Sequence, residues 1–185
     1  MRAVVLMVDG LQPAFLGAYG CEWLPTPTID SWAANGVVFD NHFSDDPLTP
    51  PRRRFAANLS ALRASGVRTA FVGPGESNGP DWDVRLATTR EPGPIELKPT
   101  RRAVRKALER LADAPDALLW VEIDALLPPW TVADELLGEF FAADEDAEDG
   151  LESETGTAIE PWTGEPPDRI DADDEDTFRR LQRTY

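Results

Sequence analysis

Short apolar runs alternate along this chain with segments in which apolar residues recur every three or four positions. Residues 4–8, 67–72 and 117–123 are rich in β-branched and aliphatic side chains. Such continuous runs are typical of parallel strands that are covered on both faces. We therefore predict three buried strands, the first of which ends at Asp9-Gly10.

Three amphipathic helices are predicted between these strands. The first begins at Pro27, which suits a first helical turn, and ends before Gly36. The second stops at Gly66, and the third begins near Thr100. Their apolar faces are formed by Ile29, Trp32 and Ala33, by Phe55, Leu59 and Leu62, and by Val104, Ala107, Leu108 and Leu111. Strands that alternate with amphipathic helices predict an α/β fold with a parallel sheet.

Charge is distributed unevenly over the 185 residues, which have a formal net charge of −16. Residues 1–110 carry 14 bases and 12 acids, whereas the remaining residues carry 4 bases and 22 acids. Residues 144–176 alone hold 15 acids and one base, Arg169. Such a like-charged segment resists collapse into a core, and a net-negative surface disfavours binding to nucleic acid.

Three regions follow from these patterns. Residues 1–143 are expected to form the α/β region, and residues 144–173 a solvated or disordered acidic insertion. Residues 174–185 resemble the start of a further helix. The helix near Thr100 carries five bases on one face, which form either a solvated surface or a docking site for the acidic segment: Arg101, Arg102, Arg105, Lys106 and Arg110.

Cysteine content and hydropathy indicate the compartment. The chain has a single Cys, Cys21, so no internal disulfide is possible, which fits a reducing environment. No apolar run approaches the roughly 18 residues that a membrane-spanning helix needs. We therefore expect a soluble, cytoplasmic protein that does not bind membranes.

Asp9 is the first candidate for chemistry, because it directly follows a predicted buried strand. Ligands of open α/β sheets bind outside the carboxyl ends of the strands, so a carboxylate there is well placed to hold a metal ion. The alternative is that Asp9 only caps a turn.

An ordered series of motifs follows Asp9. Residues 16–20 have the sequence Leu-Gly-Ala-Tyr-Gly, and residues 26–44 have the sequence Thr-Pro-Thr-Ile-Asp-Ser-Trp-Ala-Ala-Asn-Gly-Val-Val-Phe-Asp-Asn-His-Phe-Ser. This series resembles the N-terminal part of the sulfatase family, within the alkaline-phosphatase-like superfamily. The resemblance implies an incomplete, N-terminal portion of a parallel-sheet sulfatase-like fold. It also implies hydrolysis of sulfate esters with a divalent metal ion, calcium by the family resemblance, held here by Asp9.

The resemblance also assigns two further site residues. In the family a Cys or Ser in a Cys/Ser-x-Pro-x-Arg motif becomes the formylglycine nucleophile, and Thr49-Pro50-Pro51-Arg52-Arg53 occupies that place. Thr49 therefore stands at the position of the nucleophile. Arg53 stands at the position of the arginine, where its guanidinium suits binding of an anionic ester.

The sequence departs from the family at several positions. One aspartate, Asp9, stands where sulfatases have two, Pro74 replaces a lysine, and Ala125-Leu126 follow Asp124 where a Pro-His pair is expected. Threonine is also not converted to formylglycine in the family. Three hypotheses stay open: a degenerate sulfatase acting on small anionic esters, a phosphatase- or phosphodiesterase-like hydrolase that uses Thr49, and a non-catalytic module whose acidic segment binds a basic partner.

Overall fold

The computed structural model describes residues 1–42, 51–75, 81–89, 97–127, 162, 165–167, 169–171 and 173–184. Within these ranges there are four strands: β1 (Arg2–Val8), β2 (Arg68–Pro74), β3 (Val84–Thr88) and β4 (Ala117–Ile123). The same ranges contain four α-helices: α1 (Pro27–Asn35), α2 (Pro51–Ala64), α3 (Lys98–Leu111) and α4 (Glu175–Thr184). The positions of all three predicted strands and of the helices around them are confirmed.

The four strands form one sheet in the order β1-β4-β2-β3, and every neighbouring pair is parallel. β1 and β2 are consecutive strands in the sequence, but β4 lies between them in the sheet. This arrangement confirms the predicted α/β class with a parallel sheet.

One face of the sheet packs against α3. Ala107 and Leu111 of that helix lie fully or almost fully buried against apolar side chains of β2, β3 and β4. The strand residues of this core are Ala70, Val72, Val84, Ala117, Leu119 and Val121. The helix packs here because these apolar side chains are removed from water.

The opposite face packs against α2 through aromatic side chains. The ring of Phe55 lies 5.1 Å from that of Trp120, and the ring of Trp82 lies 6.2 Å from that of Trp120. Phe71 is fully buried and lies 5.7 Å from Trp82, between ring centroids. Leu59 of α2 is also buried, as its apolar spacing predicts.

The expectation that β1 is covered on both faces is wrong. Val4 and Leu6 pair with Leu119 and Val121 and so share the α3 face of the sheet, yet they are 65% and 45% exposed. The reason is position: β1 is the edge strand of the described sheet, whereas α3 packs over β2, β3 and β4.

Two helix residues and one strand differ from the sequence-based expectation. Leu108 and Trp32, both assigned to apolar helix faces, are 50% and 59% exposed. Strand β3 was not predicted, because it is short and contains the charged Arg85.

Most of residues 128–173, including most of the expected acidic insertion, lie outside the described residues, and so does Thr49.

Helix α4 begins where the sequence predicts. The backbone N–H of Thr177 donates to Asp174 Oδ1 at 3.1 Å, so Asp174 is the N-cap. Hydrogen bonds from the Thr177 side chain and backbone lower the pKa of Asp174. In the part of the chain that the structure describes, we find no helix with the length and apolar character to cross a bilayer.

Asp83 joins β3 to β2 and α2. Its carboxylate accepts hydrogen bonds from the backbone N–H of Thr69 at 2.8 Å, from Thr69 Oγ1 at 2.9 Å and from Arg63 Nε at 2.9 Å. Desolvation of Asp83 acts to raise its pKa, but the hydrogen bonds from Thr69 and the charge of Arg63 together outweigh it and lower the pKa. The charged form of Asp83 therefore stabilises the folded state.

We expect Asp83→Asn to lower the free energy of unfolding at pH 7 by about 1–3 kcal/mol, the usual cost of leaving hydrogen-bond partners incompletely paired. Because the pKa of Asp83 is lower in the folded state, its contribution is complete above the unfolded-state value of about 4 and is lost as pH falls through the folded-state value. The difference between wild type and variant should therefore shrink below about pH 4. Urea unfolding at several pH values measures it.

Asp81→Asn is the matched control, because it removes the same charge from an exposed residue two positions away. Equal destabilisation by Asp83→Asn at pH 3 and pH 7 would contradict the assignment.

Candidate functional site

Asp9 and Asp124 lie side by side at the carboxyl edge of the sheet. The register pairs Val8 with Ile123, and the N–H of Asp9 continues the ladder by donating to the Ile123 carbonyl at 2.8 Å. Asp9 and Asp124 are the next residues of their strands, and both are half-buried. The predicted position of Asp9 at a strand end is confirmed, and Asp124 is an additional carboxylate at the same edge.

The turns that follow these aspartates lie directly against each other. Gly10 has a φ of +84°, and a Cβ there would lie 3.0 Å from the Leu126 carbonyl oxygen and 3.3 Å from Leu127 Cδ2. The N–H of Leu127 donates to the Asp124 carbonyl at 3.0 Å, which closes the second turn. Glycine at position 10 therefore lets the two turns approach, and this contact holds the two aspartates in neighbouring loops.

A third carboxylate, Glu122, is buried nearby in β4 and is only 4% exposed. Trp120 Nε1 donates to Glu122 Oε1 at 3.0 Å. Gly73 of β2 lies directly beside it, because a Cβ on Gly73 would be 2.9 Å from Glu122 Cβ. Sequence reasoning did not single out Glu122; the available signal was an acid at the position i+2 from Trp120 on a strand that is otherwise apolar.

The first turn of α2 is the end of that helix on the side of the carboxyl edge of the sheet. Helix α2 ends at Ala64 and the chain then enters β2 at Arg68, at the amino edge, so the beginning of α2 faces the carboxyl edge. The backbone of Arg53 is in that first turn. A helix N-terminus carries partial positive charge and favours anions. The direction of α2 thus places the Arg53 backbone toward the edge of the sheet at which Asp9 lies, while Thr49 lies outside the described residues.

The motif residues 16–20 and 26–30 are joined by hydrogen bonds. Asp30 Oδ1 accepts from the N–H of Ala18 at 3.0 Å and from Thr26 Oγ1 at 3.0 Å. Thr26 Oγ1 in turn accepts from the N–H of Gly17 at 3.0 Å. These contacts fix the loop that follows β1 onto the first turn of α1, so they have a structural role.

The ligands at this edge are of the type that a hard divalent cation prefers, but they are too few to complete its coordination. Asp9 and Asp124 offer carboxylate oxygens, which calcium and magnesium prefer, yet calcium takes about six to eight oxygen ligands. Among the described residues, no group of three or more His, Cys, Asp or Glu side chains is arranged to hold a metal ion. The two aspartates could thus supply part of a metal site.

Comparison of the chain with family models, with curated proteins and with solved structures gives no match. The sulfatase resemblance therefore stays a prediction from the motifs, and function has to be argued from the site itself.

We expect Gly17→Ala to destabilise the fold by about 1–3 kcal/mol, the usual cost of forcing an extra methyl into a packed site. A Cβ at position 17 would lie only 2.6 Å from Asp30 Oδ2. In an Asp30→Ala background the clash is absent, so the cost of Gly17→Ala should fall well below its cost in wild type. Chemical unfolding of the two single variants and the double variant measures this coupling, and additive effects would contradict the contact.

Proposed function

We propose that this chain contributes the N-terminal part of the active site of a sulfatase-like ester hydrolase. Its substrates are small anionic monoesters, sulfate esters by resemblance and phosphate esters as the closest chemical relatives. The four-stranded parallel sheet is compatible with part of an alkaline-phosphatase-like fold.

The single observation that carries the proposal is the pairing of β1 with β4, which sets Asp9 beside Asp124. Two carboxylates in neighbouring loops at the carboxyl ends of parallel strands stand where open α/β proteins bind ligands. The turn contact between Gly10 and Leu126 supports the proposal because it holds both loops in place.

Asp9 is proposed as a ligand of a divalent metal ion, calcium by resemblance. Asp124 is proposed as a second ligand of the same ion. A bound divalent cation would draw electron density from the ester oxygens and favour attack on the sulfur or phosphorus. Further oxygen ligands are needed beyond these two carboxylates. They have to come from other parts of the protein.

Arg53 is proposed to bind the anionic ester. Its backbone lies in the first turn of α2, where the helix dipole also favours negative charge. Its guanidinium can donate two parallel hydrogen bonds to a sulfate or phosphate group. Thr49, four residues earlier, is proposed as the nucleophile through its hydroxyl group.

The first test measures hydrolysis of aryl sulfates and aryl phosphates by the purified protein with calcium, zinc or manganese. We expect Asp9→Asn to reduce the rate at least tenfold and Arg53→Gln to raise KM, since each removes a charge that acts on the metal or the ester. Asp113→Asn is the matched control, because it removes the same charge from an exposed residue just after α3, at the opposite edge of the sheet.

Calcium binding, measured by titration calorimetry, separates binding from turnover. Loss of binding in Asp9→Asn but not in Asp113→Asn would support the metal site even where turnover is slow. Equal rates and equal calcium affinity for wild type and Asp9→Asn would overturn the proposal. That result would favour the alternative, a non-catalytic module.

A further inference from the structure

Helix α3 carries a dense positive charge on its outer surface. Its sequence, Lys98–Leu111, contains six bases and one acid, Glu109. Ala107 and Leu111 face the sheet and are buried. Five bases on the remaining surface are exposed and are called here the α3 basic face: Arg101, Arg102, Arg105, Lys106 and Arg110.

One acid of α3, Glu109, lies next to the α3 basic face, four residues after Arg105, so the five positive charges of this face stand against one negative charge on this helix. None of its five residues has an ion pair with another described residue. The spacing adds repulsion, because Arg101 and Arg105, Arg102 and Lys106, and Lys106 and Arg110 are each four residues apart. Like charges at this spacing destabilise a helix. An anionic partner would therefore stabilise α3.

The same chain contains a segment of complementary charge. Residues 144–160 include eight acids and no base. Leu127 is the last described residue before this segment, and the 17 residues from there to Asp144 could extend over about 55 Å. That length is several times the radius of gyration of about 16 Å expected for a chain of this size. This length is the upper limit of the reach of the segment, and it includes the outer surface of α3.

A segment of the same chain also competes well against free polyanions. A tethered partner acts at a local concentration in the millimolar range, whereas the net charge of −16 repels other polyanions in solution. We propose that the acidic segment, residues 144–160, docks intramolecularly on the α3 basic face. The contact is electrostatic, and it neutralises the α3 basic face.

Carbodiimide cross-linking tests the contact directly, because it joins amines to nearby carboxylates. The chain has two lysines, Lys98 and Lys106, and both are in α3. We expect peptide mapping to find Lys106 coupled to carboxylates of residues 144–160 within one chain. A mixture of isotope-labelled and unlabelled protein separates intramolecular from intermolecular products.

The cross-link should decrease severalfold as salt is raised from about 0.1 M to about 1 M, because the Debye length shrinks from about 10 Å to about 3 Å. Coupling of Lys106 only to acids outside residues 144–160, or only between chains, would overturn the proposal. A cross-link yield that does not change with salt would do the same.

Heparin chromatography of the full-length protein tests whether the segment covers the face. Neutralising Asp144, Glu145, Asp146, Glu148 and Asp149 should uncover it and raise the salt concentration needed for elution. The matched control neutralises five acids elsewhere in the same acidic region: Glu165, Asp168, Asp171, Asp173 and Asp176. It changes net charge equally, and we expect it to elute with wild type.

Adding Arg102→Gln, Lys106→Gln and Arg110→Gln to the first variant should abolish the extra retention. Equal retention of the two five-acid variants would show that net charge alone acts, and would overturn the proposal. Wild type that binds heparin as tightly as the first variant would show that the face is open to external polyanions, which also contradicts docking.

Discussion

The parallel pairing of β4 with its two neighbours, β1 and β2, is the interaction on which the rest of the structure depends. The β1–β4 part of it joins residues that are more than a hundred positions apart, and it closes the long loop that contains α1, α2, β2, β3 and α3. β4 can hold this position because residues 117–122 are all buried and its backbone bonds to a strand on each side. Without that pairing, Asp9 and Asp124 would have no reason to meet, and the two packed faces of the sheet would lose their shared centre.

Local patterns in the sequence predict most of this fold. The run of residues 117–123 and the spacing of Ala107 and Leu111 identify β4 and the packed side of α3, since the apolar pattern within each element marks the side that can be buried. The position of a strand within the sheet cannot be predicted in this way. Val4–Val8 has the composition of a central strand but lies at an edge, because the order of strands is set by contacts that no local pattern contains. Exposure of Val4 and Leu6 follows from that order.

The same distinction between local sequence and long-range contacts applies to the candidate site. That Asp9 ends a strand can be predicted from the run before it. That Asp124 stands next to it depends on the register of two distant strands, and the closeness of their loops depends on Gly10 meeting Leu126. Strand β3 was missed for a related reason: its start is held by Asp83, whose partners Thr69 and Arg63 belong to β2 and α2. Short strands that depend on such distant partners have weak local signals.

The hydrogen bonds of Asp30 change what the motif resemblance can support. Residues 16–20 and 26–30 form its most continuous part, and the structure gives Gly17, Thr26 and Asp30 a purely structural task, which is to attach the loop after β1 to α1. This loop geometry uses those residues whether or not the protein hydrolyses an ester. Similarity there is thus evidence about the fold. Evidence about chemistry has to come from the carboxylates at the carboxyl edge, Asp9 and Asp124, which take no part in this hydrogen-bond set.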